Sequence, residues 1–149
     1  LYSDEQRQRR DTSRWTLVQG ILAPVQFLAF LISLALVLHY LATGTGYGVA
    51  TGSVVVKTII LYAIMITGAV WEKHVFGRWL FAPAFYWEDV VSIGVLALHT
   101  GYIAALITVA LPPAALMTLA LAAYASYCFN AAQYVLKFRL ARLGRPVVA

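Results

Sequence analysis

The 149-residue chain is 62% hydrophobic and only 11% charged, with a mean hydropathy of +0.78 and a formal charge of +5. A soluble domain carries about a quarter charged residues, and here Trp15–Val56 and Val90–Leu136 hold none over 42 and 47 residues. Each run has room for two membrane helices of about 20 residues, which excludes a soluble globular protein. The positive charge comes without an aromatic-basic binding pattern, so lipid headgroups and no nucleic acid are its expected partner. One cysteine, Cys128, excludes an internal disulfide framework.

The chain opens with a polar, basic segment, residues 1–14, that is polar for too long to read as a secretion signal. A first span is predicted over about Leu17–Leu41, followed by the uncharged, turn-rich loop TGTGYGVATGS. The second span covers about Val54–Trp71. The connection WEKHVFGRWLFAPAFYWED, residues 71–89, leads to a third span over about Val90–Leu111. Pro112-Pro113 forces a reversal, because neither proline can continue the preceding helix. The fourth span runs over about Ala114–Leu136, and a basic tail over 137–149 carries Lys137, Arg139, Arg142 and Arg145. The expected fold is a single all-α integral membrane domain, residues 1–149, with four transmembrane helices. Only a Trp-Glu pair repeats.

Ten of the eleven basic residues fall on one side of these spans, which the positive-inside rule makes cytoplasmic. Both termini and the 71–89 connection are then cytoplasmic. Lys57 is the exception, expected near the outer end of span two with its stem snorkelling to the headgroups.

The connection is the most unusual stretch. Seven of its nineteen residues are aromatic, including three of the four tryptophans. An interfacial aromatic belt explains Trp71 and Trp87. It explains Phe76, Trp79, Phe81 and Phe85 less well, since they fill the middle. Gly77 and Pro83 interrupt any continuous helix, so the block is expected to fold back on itself. With Tyr86, and with Lys73 and Arg78 among the rings, it suits a large, flat, amphiphilic ligand.

Ionisable residues in membrane helices cost about 2.5–3.5 kcal/mol on insertion scales and therefore point to function. Glu88, Ser92, His99 and Tyr102 stand at offsets 0, 4, 11 and 14, one narrow helical face. His99 lies about 16 Å deeper than Glu88 at 1.5 Å per residue. In span four Tyr127, Asn130, Tyr134 and Lys137 share a face, with Gln133 at its edge. Gln19 and Gln26 read as interhelical hydrogen-bonding groups. His99 has no second histidine at a ligand spacing. It reads either as a neutral, hydrogen-bonded core histidine or as a single axial ligand to a metal already held in a macrocycle. His39 reads as incidental, and His74 stands on position alone.

The central block continued to WEKHVFGRWLFAPAFYWEDVVSIGVLALHTGY, with RWTLVQGILAPVQF before it and NAAQYVLKFRLARL after it, resembles the 3-vinyl bacteriochlorophyllide hydratases of phototrophic bacteria. The similarity spans nearly the whole chain. It implies a hydro-lyase of bacteriochlorophyll biosynthesis in the bacterial inner membrane, cytoplasmic or intracytoplasmic. Water would add across the C3-vinyl group of a (bacterio)chlorophyllide to give the 3-(1-hydroxyethyl) product. No cofactor is implied, because the substrate carries its own magnesium. No catalytic residue is carried over from the family.

Chemistry assigns the roles. Glu88 and Asp89, adjacent at a membrane boundary, are the expected acids, with Glu72 as the alternative acid or the base that orients water. His99 would hold the magnesium or the water, and Lys73 or Arg78 the pigment's carboxylate. Trp71, Phe76, Trp79, Phe81, Phe85, Tyr86, Trp87, Ser92, Tyr102, Asn130 and Gln133 are the expected pigment contacts, with Glu88 and His99 facing one cleft. Self-association, or association with other pigment-synthesis enzymes, would complete so thin a bundle. The competing readings are a non-catalytic pigment-binding or assembly subunit and a haem or quinone anchor. A transporter fits least, for want of a repeat or a broken helix pair.

Overall fold

The computed structural model describes residues 1–144, and Arg145 of the expected tail lies outside them. The described residues form helices α1 (Asp4–Thr12), α2 (Arg14–Thr43), α3 (Tyr47–Phe76), α4 (Tyr86–Thr108) and α5 (Pro113–Arg142), with a single 3-10 turn at Pro83–Phe85. The last four are long and apolar enough to cross a membrane, so the chain is a multi-pass membrane protein.

Local signals set the boundaries. Ser3 and Gln6 form a reciprocal capping box at the start of α1. Ser13 then accepts from Trp15 N–H and starts α2 one residue after α1 ends. Gly44 and Gly46 take left-handed φ values of 72° and 83°, and these two residues suffice to reverse the chain. The loop expected from residue 43 to 53 is therefore short, and α3 begins at Tyr47 with Gly48 and Gly52 inside it. At the next reversal α4 ends at Thr108 with Val109 in the left-handed region, and Pro113 opens α5 at a position where its missing N–H costs nothing.

Two hairpins result. α2 packs along α3 and α4 along α5, while the seam between the hairpins is sparser. Phe30, Val37, Val54, Leu61, Val95, Leu116, Met117 and Tyr124 form the buried core. Polar pairs cross the seam with them: Ser33 Oγ meets Tyr124 Oη at 2.5 Å, and Lys57 Nζ meets His99 Nε2 at 3.0 Å. Gln19 Nε2 donates to Thr67 Oγ1 at 2.5 Å within the first hairpin, as expected for interhelical glue.

Lys57 corrects an expectation. It is completely buried and turned into the bundle, not toward headgroups. Because α3 starts seven residues before the predicted span, Lys57 lies about three turns inside the helix instead of near its end. Lys137, expected in a basic tail, is likewise buried, since α5 continues to Arg142.

Candidate functional site

The site is at the end of the bundle that carries the α3–α4 connection. α3 stops at Gly77, whose φ of 82° caps the helix, and the chain folds back through Phe81 at φ 61°. A non-glycine residue seldom takes that conformation. Here it aims successive backbone N–H groups inward: Phe81 N–H donates to Asp89 Oδ2 at 2.8 Å and Ala82 N–H to Glu72 Oε1 at 2.7 Å. The expected fold-back of the block is thus present, held by carboxyl groups from both flanking helices.

Glu72 and Asp89 thus take the N–H groups of two consecutive residues, which sets the two carboxyl groups side by side. Tyr134 Oη, 3.4 Å from Asp89 Oδ1, adds a third donor. Both carboxyl residues are buried, at 3% and 5% exposure.

Glu88 is committed elsewhere. Lys137 Nζ lies 2.9 Å from Oε1 and 3.0 Å from Oε2, and it also donates to the carbonyl of Ala84. One ammonium therefore ties α5 to the first turn of α4 and to the 3-10 turn. Asn130 Nδ2 donates to the Glu88 carbonyl at 3.0 Å and to Gln133 Oε1 at 3.2 Å, while Ser92 Oγ donates to Asn130 Oδ1 at 3.0 Å. Of the candidate residues, the structure gathers Glu72, Glu88, Asp89, Ser92, Asn130 and Gln133 here. Tyr134 and Lys137, absent from the candidates, join them. Their signal was the face they share with Asn130, at spacings of four and seven.

The aromatic block divides in two. Trp71, Phe76 and Phe85 meet edge to face with centroids 5.6–5.8 Å apart, and Phe85 stacks on Tyr134 at 5.9 Å. Phe85 is core, at 1% exposure, while Trp71 and Phe76 are half-buried against it. Phe81, Tyr86 and Trp87 form an outer chain at 5.6 and 5.2 Å, and Trp79 and Trp87 are more than half exposed. Lys73 and Arg78 are also exposed, with Lys73 Nζ donating to Gly77 O at 3.0 Å.

His99 does not share this site. Its Nδ1 donates to Val95 O at 2.8 Å, so Nε2 accepts from Lys57, and both ring nitrogens are engaged. Lys57 would have to leave before His99 could hold a metal. Lys57 itself lies 3.7 Å above the Tyr127 ring. Tyr102 is buried nearer the other end, its hydroxyl without a hydrogen bond. The four-residue stripe of α4 is buried throughout, yet Glu88 and His99 face different partners and not one cleft. Among the described residues no three His, Cys, Asp or Glu side chains gather to hold a metal ion.

The family model for 2-vinyl bacteriochlorophyllide hydratase matches residues 2–140. This chain belongs to that family. It is 64% identical over 143 residues to the 2-vinyl bacteriochlorophyllide hydratase of Cereibacter sphaeroides, covering 96% of this chain and 89% of the relative. It is 60% identical over the same length to the enzyme of that name from Rhodobacter capsulatus, covering 83% of that relative. No solved structure matches the chain. The membership agrees with the expected hydratase, and the family's name numbers the vinyl position 2, not 3.

Proposed function

We propose that the Glu72–Asp89 pair is the acid with which this hydratase adds water to the vinyl group of a bacteriochlorophyllide. The two numberings, 2 and 3, name one vinyl group under different ring conventions. Two buried carboxyl groups, one from each hairpin, set side by side on consecutive backbone N–H groups, carry this reading: two like charges so placed favour keeping one proton between them.

The chemistry balances through that proton. The pair protonates the terminal vinyl carbon, and the π-electrons of the double bond form the new C–H bond. Positive charge develops on the carbon attached to the ring, where the macrocycle spreads it. The carboxylate left behind keeps the Phe81 and Ala82 N–H groups as donors, so its negative charge is stabilised beside the cation. Water then bonds to the cationic carbon and returns its extra proton to the pair. One water is consumed and the acid pair is regenerated, and the magnesium of the pigment belongs to the substrate, so no separate cofactor enters.

Glu88 departs from the role expected of it. With both oxygens on Lys137 it is an ionised acceptor and positions the turn that supplies the N–H donors. The outer rings, Trp79, Phe81, Tyr86 and Trp87, offer the flat surface on which the pigment lands, and Lys73 and Arg78 meet its carboxylate. This end faces the cytoplasm by the positive-inside rule, in the inner membrane of the bacterium, where self-association or neighbouring pigment enzymes would cover the exposed rings.

Incubation of membranes carrying the chain with the vinyl pigment in heavy-oxygen water tests the activity. The product gains one labelled water, and its absorption shifts as vinyl conjugation is lost. Unlabelled, unshifted pigment would overturn the reading.

A further inference from the structure

A groove of about 270 Å³ runs along the lipid-facing side of the α3–α4 seam, lined by Tyr62, Met65, Ile66, Leu96 and Thr100. Its place follows from helix geometry. Met65 is seven residues before Glu72, and Leu96 is seven after Asp89. Seven residues are nearly two turns, so each lies on the same helix face as its carboxyl residue, about 10 Å further into the membrane. The groove thus continues the line of the acid pair. At its far end, ten residues from Glu72 and eleven from Asp89, Tyr62 Oη and Thr100 Oγ1 meet at 2.8 Å. That point is about 15–17 Å from the carboxyl groups along the helices.

The Ser33–Tyr124 hydroxyl pair runs on through Ser53 to the Ala50 carbonyl, whereas no such continuation leads on from Tyr62 and Thr100 among the described residues. Thr43, Thr58, Thr67, Thr108 and Thr118 each donate to the carbonyl four residues back, which satisfies a hydroxyl in hydrocarbon at no further cost. Thr100 pairs with Tyr62 instead. Two hydroxyl groups joined by one hydrogen bond hold a second O–H, and among the described residues it has no acceptor. Lipid tails offer it none, which leaves it open to an acceptor on a ligand in the groove.

We propose that this groove seats one edge of the bacteriochlorophyllide, and that the Tyr62–Thr100 pair donates to a carbonyl oxygen on the edge opposite the vinyl group. The inference rests on the Glu72–Asp89 reading, since it places the vinyl group at those carboxyls. An acceptor at this depth is a neutral carbonyl, because a carboxylate there would bear the cost of a charge in the membrane. The pigment's own carboxylate belongs with Lys73 and Arg78. The groove is below the about 300–1,000 Å³ of an enclosing ligand site, so it grips an edge and leaves the ring faces against lipid and aromatic side chains. The pair is a specificity-determining site and takes no part in bond making.

Resonance Raman spectra of the vinyl pigment bound to the full chain in lipid nanodiscs read the contact directly. The carbonyl stretch is expected to move to lower frequency on binding, and to return to its unbonded value in Thr100→Val and Tyr62→Phe. In steady-state hydration each variant raises KM roughly three- to tenfold, the worth of one hydrogen bond, with kcat held. A pigment whose ring carbonyl is replaced by methylene loses the same factor on the wild type and nothing more on the variants. An unshifted carbonyl band with normal hydration overturns this inference alone. A shifted band lost in both variants, without hydration in the wild type, upholds the groove and overturns the acid assignment. Thr100→Val carries the test by itself if Tyr62→Phe fails to insert.

Discussion

Two buried polar clusters lie in the same bundle, and they are built differently. At the connection end Glu72, Asp89 and Glu88 are held by backbone N–H groups, Tyr134 and Lys137, and Ser92 and Asn130 close the network. In mid-bundle Lys57 has one hydrogen bond and an aromatic face, and Gln26 Oε1, Thr51 Oγ1 and Tyr102 Oη have no hydrogen bond. A satisfied network fixes atoms in place, and a partly satisfied one does not. The proposed chemistry uses the first. His99, the isolated ionisable residue deep in α4, has one ring nitrogen on the Val95 carbonyl and the other on Lys57.

The comparison breaks first at the acid pair. Glu72→Gln and Asp89→Asn should each lower the hydration rate about 10²–10⁴-fold, the range for a general acid, with pigment binding retained. Heavy-oxygen incorporation measures this, and full activity in either variant would remove that residue from the reaction. Next comes the ion pair. Lys137→Met leaves Glu88 charged and unpaired, a loss of about 3–5 kcal/mol, whereas Lys137→Met with Glu88→Met should recover most of it. Thermal unfolding of the two variants in nanodiscs separates these outcomes.

Smaller effects sharpen the division of the aromatic block. Phe85→Leu should lower stability by about 1–2 kcal/mol through lost ring contacts and volume. Trp87→Leu, half exposed, should leave unfolding unchanged and weaken pigment binding, read by absorption titration. The smallest effect is expected at Lys57→Met: the lost hydrogen bond is offset by removing a buried amine, for a net change within about 1 kcal/mol. A large loss of hydration there would return the mid-bundle cluster to the reaction.

Much of this arrangement is legible in the chain itself. Four spans follow from two charge-free runs, and the buried face of α4 follows from its offsets. What periodicity cannot give is the partner across the seam. Glu88 and Asp89 are neighbours in sequence, but about 100° of helix separates them, and one meets Lys137 while the other meets Glu72. Glycines at 48 and 52 resemble a loop and so put Lys57 near a helix end, although two left-handed residues have already turned the chain before them. Nor does a side-chain pattern reveal that Phe81 takes a positive φ, the feature that delivers two N–H groups to the acids.

The division into hairpins has a consequence for biogenesis. Each hairpin closes over a short turn and can enter the bilayer by itself, but Glu72 arrives with the first and Asp89 with the second. On the proposed acid pair, neither half is complete alone, and the nascent polypeptide gains activity only once both halves have docked. Reactivity then marks completed insertion, and a truncated translation product leaves the vinyl pigment untouched.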